Sequence, residues 1–198
     1  MNYLAHAYLS FNIPEILVGN MISDFIKGKK QFDYPLRVQK GIRLHRAIDA
    51  FTDSHTATKT LKSFFSPQYR LYSGAFGDVV YDHFLANDDD QFADAAALKQ
   101  FAADCYVILQ NNQPLLPPVF QHMLPYMAQQ DWLYHYRFKQ GIQNSFKGLV
   151  RRAAYLTESE IAFELFNEHY DAMKTCYAAF FPELKIFTSN QLQQLLNS

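Results

Sequence analysis

Apolar residues recur at helical spacing along almost the whole chain, and the breaks between the runs carry Pro, Gly, Asn and Asp. Residues 2–12 are apolar around one histidine, His6. Pro14 then opens a helix through Ile16, Leu17, Met21, Ile22 and Phe25, stopped at Lys27-Gly28 as a glycine C-cap would stop it. Pro35 starts a third, with Leu36, Val38, Ile42, Leu44, Ile48 and Phe51 on its apolar face. Thr56 or Thr58 is placed to cap a short helix ending at Phe65, and Pro67 precedes a longer segment reaching Leu85. Asn87-Asp88-Asp89-Asp90 is a polar break and N-cap for a helix through Cys105 to Leu109, and Pro117-Pro118 starts the next. Residues 131–152 predict two helices broken near Gly141. Thr157-Glu158-Ser159-Glu160 resembles a capping box for a helix to about Phe180, ended by Pro182, with a short terminal helix from Gln191. No period-2 strand or Asn-Gly hairpin interrupts the pattern, which predicts an all-α, single-domain helical bundle over residues 1–198.

Composition narrows the class. With 198 residues, 49% hydrophobic and 19% charged, the chain has enough apolar surface for a sizeable core and is not disordered. No run approaches the roughly 18 apolar residues of a membrane span. The first residues lack the basic stretch of a secretory signal, so neither a membrane nor export is expected. Cys105 and Cys176 are too few for a disulfide framework or a zinc finger; Cys105 reads as a buried thiol, and the cytoplasm is the expected address. The net charge of −1 hides an asymmetry: residues 1–70 carry ten Lys/Arg against five Asp/Glu, and residues 71–198 eight against fourteen. A basic first third suits an acidic partner, although a solvated face is the commoner origin of such an imbalance.

Phosphate-loop, dinucleotide, nucleophile-elbow and HExxH motifs are all missing, as is the Glu-x-x-His of helical di-iron proteins. Polar residues embedded in apolar helices carry more information. Asn20 and Asp24, His45 and Asp49, and Asp78 and Asp82 are each four apart, and His83 follows directly. Partners at i,i+4 share one helix face about 5–6 Å apart, close enough to reach one cation. His6, flanked by Ala5 and Ala7, sits on a helix too apolar to need a solvated imidazole. Packed together, these helices offer imidazole nitrogens and carboxylate oxygens, a donor set that suits Mn, Fe or Zn better than Mg. Asp49 to Asp53 extends the acidic stripe, though Asp49 and Asp53 also suit ion pairs with Arg46 or Lys62. His55, His122, His135 and His169 lack such partners and read as structural or surface residues.

Four ordered blocks in the first 86 residues resemble the acyl-carrier-protein phosphodiesterase family. They are Met1-Asn2-Tyr3-Leu4-Ala5-His6; Gly19-Asn20 with Asp24-Phe25 and Gly28; Gly41-Ile42-Arg43-Leu44-His45-Arg46-Ala47-Ile48-Asp49 with Thr52-Asp53; and Asp78-Val79-Val80-Tyr81-Asp82-His83-Phe84-Leu85. The resemblance implies an all-helical, divergent relative of the HD-domain metal phosphohydrolases. It implies hydrolysis of the phosphodiester joining 4′-phosphopantetheine to a carrier-protein serine, with a divalent metal, usually Mn²⁺, and Fe²⁺, Zn²⁺ or Mg²⁺ as alternatives. Carried onto this chain, His6, His45, Asp49, Asp82 and His83 would form the metal site, with Asp24 and Asp78 close by to orient or deprotonate water and Arg46 to clamp a phosphate oxygen or pair with a neighbouring Asp. The implied partner is acyl carrier protein, an acidic helical bundle, rather than nucleic acid or membrane. Lys27, Lys29, Lys30, Arg37, Lys40 and Arg43 offer it a complementary surface. Two other functions stay open: an HD-like phosphohydrolase acting on a nucleotide or other small phosphoester, and a helical binding protein without turnover.

Overall fold

A computed structural model describes residues 1–197, and among them every regular element is a helix. The α-helices are α1 (Tyr3–Tyr8), α2 (Pro14–Ile22), α3 (Leu36–Ser54), α4 (Thr56–Tyr69), α5 (Ser73–Ala86), α6 (Ala95–Asn111), α7 (Pro118–Gln129), α8 (Trp132–His135), α9 (Lys139–Arg152), α10 (Glu160–Glu168) and α11 (Tyr170–Asn197). Short 3₁₀ turns at Ser23–Phe25 and Gly28–Asp33 link α2 to α3. The buried apolar residues from Met1 to Leu192 form one cluster, and large rings such as Tyr81, Phe76, Phe146 and Phe180 fill the space between helices.

The first four helices set the site. α2 packs along α3, α1 lies across α2 and α5, and α5 is held between α4 and α9. The α2–α3 crossing is a backbone-to-backbone approach made by Gly19 and Gly41. A Cβ added to Gly19 would collide with the Val38 carbonyl and stand 2.8 Å from the Gly41 Cα, and one added to Gly41 would collide with the Ile16 carbonyl. These are main-chain atoms that cannot rotate away. Gly19→Ala is therefore expected to separate α2 from α3 and cost about 1–3 kcal/mol. In a chain of this size that is a fall of roughly 3–10 °C in melting midpoint, measurable by calorimetry. An unchanged midpoint would mean that the crossing is not close-packed.

Several boundaries differ from those the sequence predicts. α4 is capped by the His55 side chain, which accepts from Ala57 N, and not by Thr56 or Thr58; it also runs through Pro67 to Tyr69. Asp94, not the Asn87–Asp90 cluster, caps α6 through Ala97 N at 2.8 Å. The α8–α9 break falls at residues 136–138, while Gly141 lies inside α9, where one glycine costs only about 1 kcal/mol. The second half of the chain breaks at His169 instead of Pro182, which lies within α11. The hydrogen bond lost at Pro182 is outweighed by the burial of Phe180, Phe181, Leu184 and Leu192, which seat α11 against α3 and α4.

Candidate metal centre

Three side chains from two helices converge between α1 and α3. His6 of α1 and His45 of α3 stack with ring centroids 3.8 Å apart and planes 14° from parallel. Asp49, one turn beyond His45, puts Oδ1 3.3 Å from His6 Nε2 and Oδ2 3.1 Å from His45 Nε2. Asp24, in the 3₁₀ turn after α2, brings Oδ1 to 3.1 Å from His45 Nε2. Its side chain is 74% exposed, so it is the member of the group that faces solvent.

Asn20 fixes both imidazoles. Its side-chain nitrogen donates to the His6 carbonyl at 2.8 Å and to Ser10 Oγ at 3.1 Å, which leaves Oδ1 to accept from His6 Nδ1 at 2.8 Å. The Asn20 carbonyl accepts from His45 Nδ1 at 2.7 Å. With both Nδ1 atoms donating, both Nε2 atoms turn toward the carboxylates. A neutral imidazole offers a lone pair there, so the centre gathers nitrogen and oxygen lone pairs onto one point. Such a point is stable only around a cation, either a proton or a metal.

The ionisation pattern has the same logic. Burial would lower His45, but the hydrogen bonds to Asp24 and Asp49 outweigh it and hold the ring charged to about 9. Burial, reinforced by the charge on His45, drives His6 down to about 4. One proton thus serves two imidazoles, and His6 Nε2 is left buried with no hydrogen bond at all. Burial would raise Asp49, but the hydrogen bond from charged His45 outweighs it and holds the carboxyl far below the ordinary carboxylate range, and Asp24 is lowered first by its bond to His45. An unsatisfied nitrogen beside ionised oxygens, with the ligand atoms of His6, His45 and Asp49 all within 4.8 Å of one another, fits a divalent cation. The Asn20 bonds are the outer support that metal-binding histidines usually have.

The remaining sequence-predicted residues lie outside the His6–His45–Asp49 group, at its border or beyond. Asp78 borders the centre, 3.1 Å from the Met1 α-amino nitrogen, which also lies 3.5 Å from Asp49. Burial raises Asp78, against the pull of that amine. Asp82 and His83, expected with His45 and Asp49, are not brought to them. Asp82 faces the start of α1, where its oxygens accept from Leu4 N at 2.7 Å and Ala5 N at 3.2 Å; burial pushes it up to about 7 against those bonds. His83, a step of about 100° further round α5, points the other way, with Nδ1 donating to the Tyr136 carbonyl at 2.7 Å and Nε2 3.0 Å from the Tyr170 hydroxyl. Arg46 likewise turns from the centre and donates to Gln31 Oε1 and the Ile26 carbonyl, pinning the segment that carries Lys27–Lys30. Asp53 is paired with Lys62 at 2.6 Å and does not extend the acidic stripe. Among the buried polar residues, Asn20 and Ser10 have structural roles at the centre that spacing alone did not assign; an asparagine on the otherwise apolar face of α2 was the available signal.

The all-helical scaffold brings two buried imidazoles and a half-buried carboxylate together, a donor set suited to a divalent metal. The chain belongs to the acyl carrier protein phosphodiesterase family, whose model matches residues 1–184, and membership makes it a phosphodiesterase. It is similar to the acyl carrier protein phosphodiesterase of Klebsiella pneumoniae subsp. pneumoniae, 31% identical over 96% of this chain and 99% of the relative. It is also similar to that of Yersinia pestis, 30% identical over 93% of this chain and 95% of the relative. No solved structure matches the chain. No helix among the described residues is long and apolar enough to cross a membrane.

Proposed function

We propose that residues 1–198 act as one catalytic unit that hydrolyses the phosphodiester between 4′-phosphopantetheine and the serine of holo-acyl carrier protein, with a divalent cation held by His6, His45 and Asp49. The observation that carries the metal assignment is the buried, bond-free Nε2 of His6 facing an ionised carboxylate. The relatives' names support the substrate, and the donor set supports Mn²⁺, Fe²⁺ or Zn²⁺ over Mg²⁺. The cytoplasm is the compartment we infer, consistent with two buried free thiols, of which burial pushes Cys105 up to about 12 and leaves it unreactive.

A divalent cation bound there would lower the pKa of a water and offset charge on the phosphoryl oxygens. The chain's own groups do the rest. Asn20 holds both imidazoles in the tautomer that leaves Nε2 free. Asp24, ionised and open to solvent, is placed to accept a proton from the attacking water at Oδ1 or Oδ2. Water oxygen bonds to phosphorus as its proton passes to Asp24, the bond from phosphorus to the serine oxygen breaks, and that oxygen takes the proton back from Asp24 and leaves as the serine hydroxyl. Asp78, held by the Met1 nitrogen, fixes the second acidic wall.

Intact mass spectrometry of holo-carrier protein incubated with enzyme and Mn²⁺ tests this reading. The apo mass is expected only with metal and the unmodified chain. No apo mass from a metal-loaded preparation would remove the substrate assignment.

Proton and cation compete for His45 Nε2, so divalent-cation affinity should rise with pH, by about tenfold per unit, and level off above the His45 value of about 9. Without metal the sign reverses for the fold. His45 is raised from 6.5, so its ion pairs stabilise fully below pH 6.5, and that contribution is lost as pH climbs through 9. Titration calorimetry between pH 6 and 9 would show the slope; a flat affinity would exclude His45 as a ligand.

A further inference from the structure

A cleft of about 500 Å³ opens between the start of α1 and the C-terminal half of α9. On one side it is lined by Asn2 and Tyr3, the residues next to Met1, whose nitrogen contacts Asp49 and Asp78. On the other side stand Lys147, Arg151 and Arg152. Tyr3 joins the two regions along α1, lining the cleft one helical turn before His6.

None of these three cations makes an ion pair among the described residues, where the Lys/Arg–carboxylate pairs are Arg37–Glu15 and Lys62–Asp53. Residues 132–157 carry five Lys/Arg and no Asp or Glu, inside a part of the chain that is net acidic. A local positive field of this kind raises the encounter rate of a negatively charged partner. Arg151 and Arg152 are exposed, and Tyr155, three residues on, is 86% exposed. Arginine with exposed tyrosine is the composition of a protein-binding surface.

We propose that this face of α9, with its cleft, is the docking surface for the acidic protein substrate, and that it receives a surface dense in Asp and Glu whose phosphodiester reaches the metal centre past Tyr3. This rests on the function proposed above. It places the main electrostatic contact on α9 rather than on Lys27, Lys29 and Lys30, which also make no ion pair among the described residues and therefore serve as the comparison in the test.

The test measures binding of fluorescently labelled apo-acyl carrier protein to the metal-loaded full chain. Arg151→Glu/Arg152→Glu should raise Kd by about tenfold or more and flatten its salt dependence, and Lys147→Glu should act in the same direction. Lys29→Glu/Lys30→Glu should shift Kd less. Unchanged Kd and salt dependence in the α9 variants, or a larger loss in the Lys29/Lys30 variant, would overturn the proposal. Should the α9 variants not fold, zero-length carbodiimide cross-linking of the unmodified chain gives an independent answer. Lys147 joined to a carrier carboxylate supports the site, and cross-links confined to Lys27–Lys30 refute it. Failure of the underlying reading looks different, because the unmodified chain would then release no apo mass from holo-carrier protein.

Discussion

His45→Ala is expected to lose turnover of holo-carrier protein by on the order of 10³-fold or more and to lose stoichiometric divalent metal, with the helical circular-dichroism signal retained. The residue sits between Asp24 and Asp49 at 3.1 Å from each, so its removal deletes a donor and leaves two carboxylates facing each other without the positive charge that now separates them. Supporting residues one bond further out usually cost about 10–100-fold when removed, and a ligand costs more. Asn20→Ala should therefore fall in that smaller range, by releasing both Nδ1 atoms. Metal analysis and the mass assay on the same preparations check the ordering. Metal retained at wild-type level in His45→Ala would remove the proposed centre, whereas metal lost and turnover kept would detach the chemistry from it.

Asp82→Ala should act on the fold and only through the fold on the chemistry. The substitution leaves Leu4 N and Ala5 N buried without acceptors, each worth about 1–3 kcal/mol. Relief of the carboxylate's own burial offsets part of that, for a net loss of about 3 kcal/mol and a drop of roughly 6–12 °C in melting midpoint. Asp82→Asn, which keeps one accepting oxygen, should fall between. Calorimetry against activity well below the midpoint separates the roles. An Asp82→Ala protein that melts like the unmodified chain and keeps its divalent metal, so that His6 is still in place, yet is inactive would return Asp82 to the catalytic group.

Helical spacing made His45–Asp49 legible, because both lie on one face of a single long helix whose apolar side is unambiguous. His6 was legible as an imidazole with no reason to face water. The same spacing rule failed for Asp78–Asp82, since it says which residues share a face of α5 but not what that face meets. There it meets the backbone of α1, and His83 meets α11 and the segment before α9. The basic run at residues 132–157 was hidden by averaging charge over the acidic second part of the chain. Pro182 misled because long-range burial, invisible in a local window, overrides one missing hydrogen bond.

α1 is only six residues long, too short to persist on its own in water. Its shape is borrowed from Asn2 and Asp82, yet it delivers the first imidazole. Detaching those few residues would dismantle the reactive centre while most of the core kept its packing. Competence for turnover and global integrity are therefore separate quantities in this molecule, and the first can fail without the second.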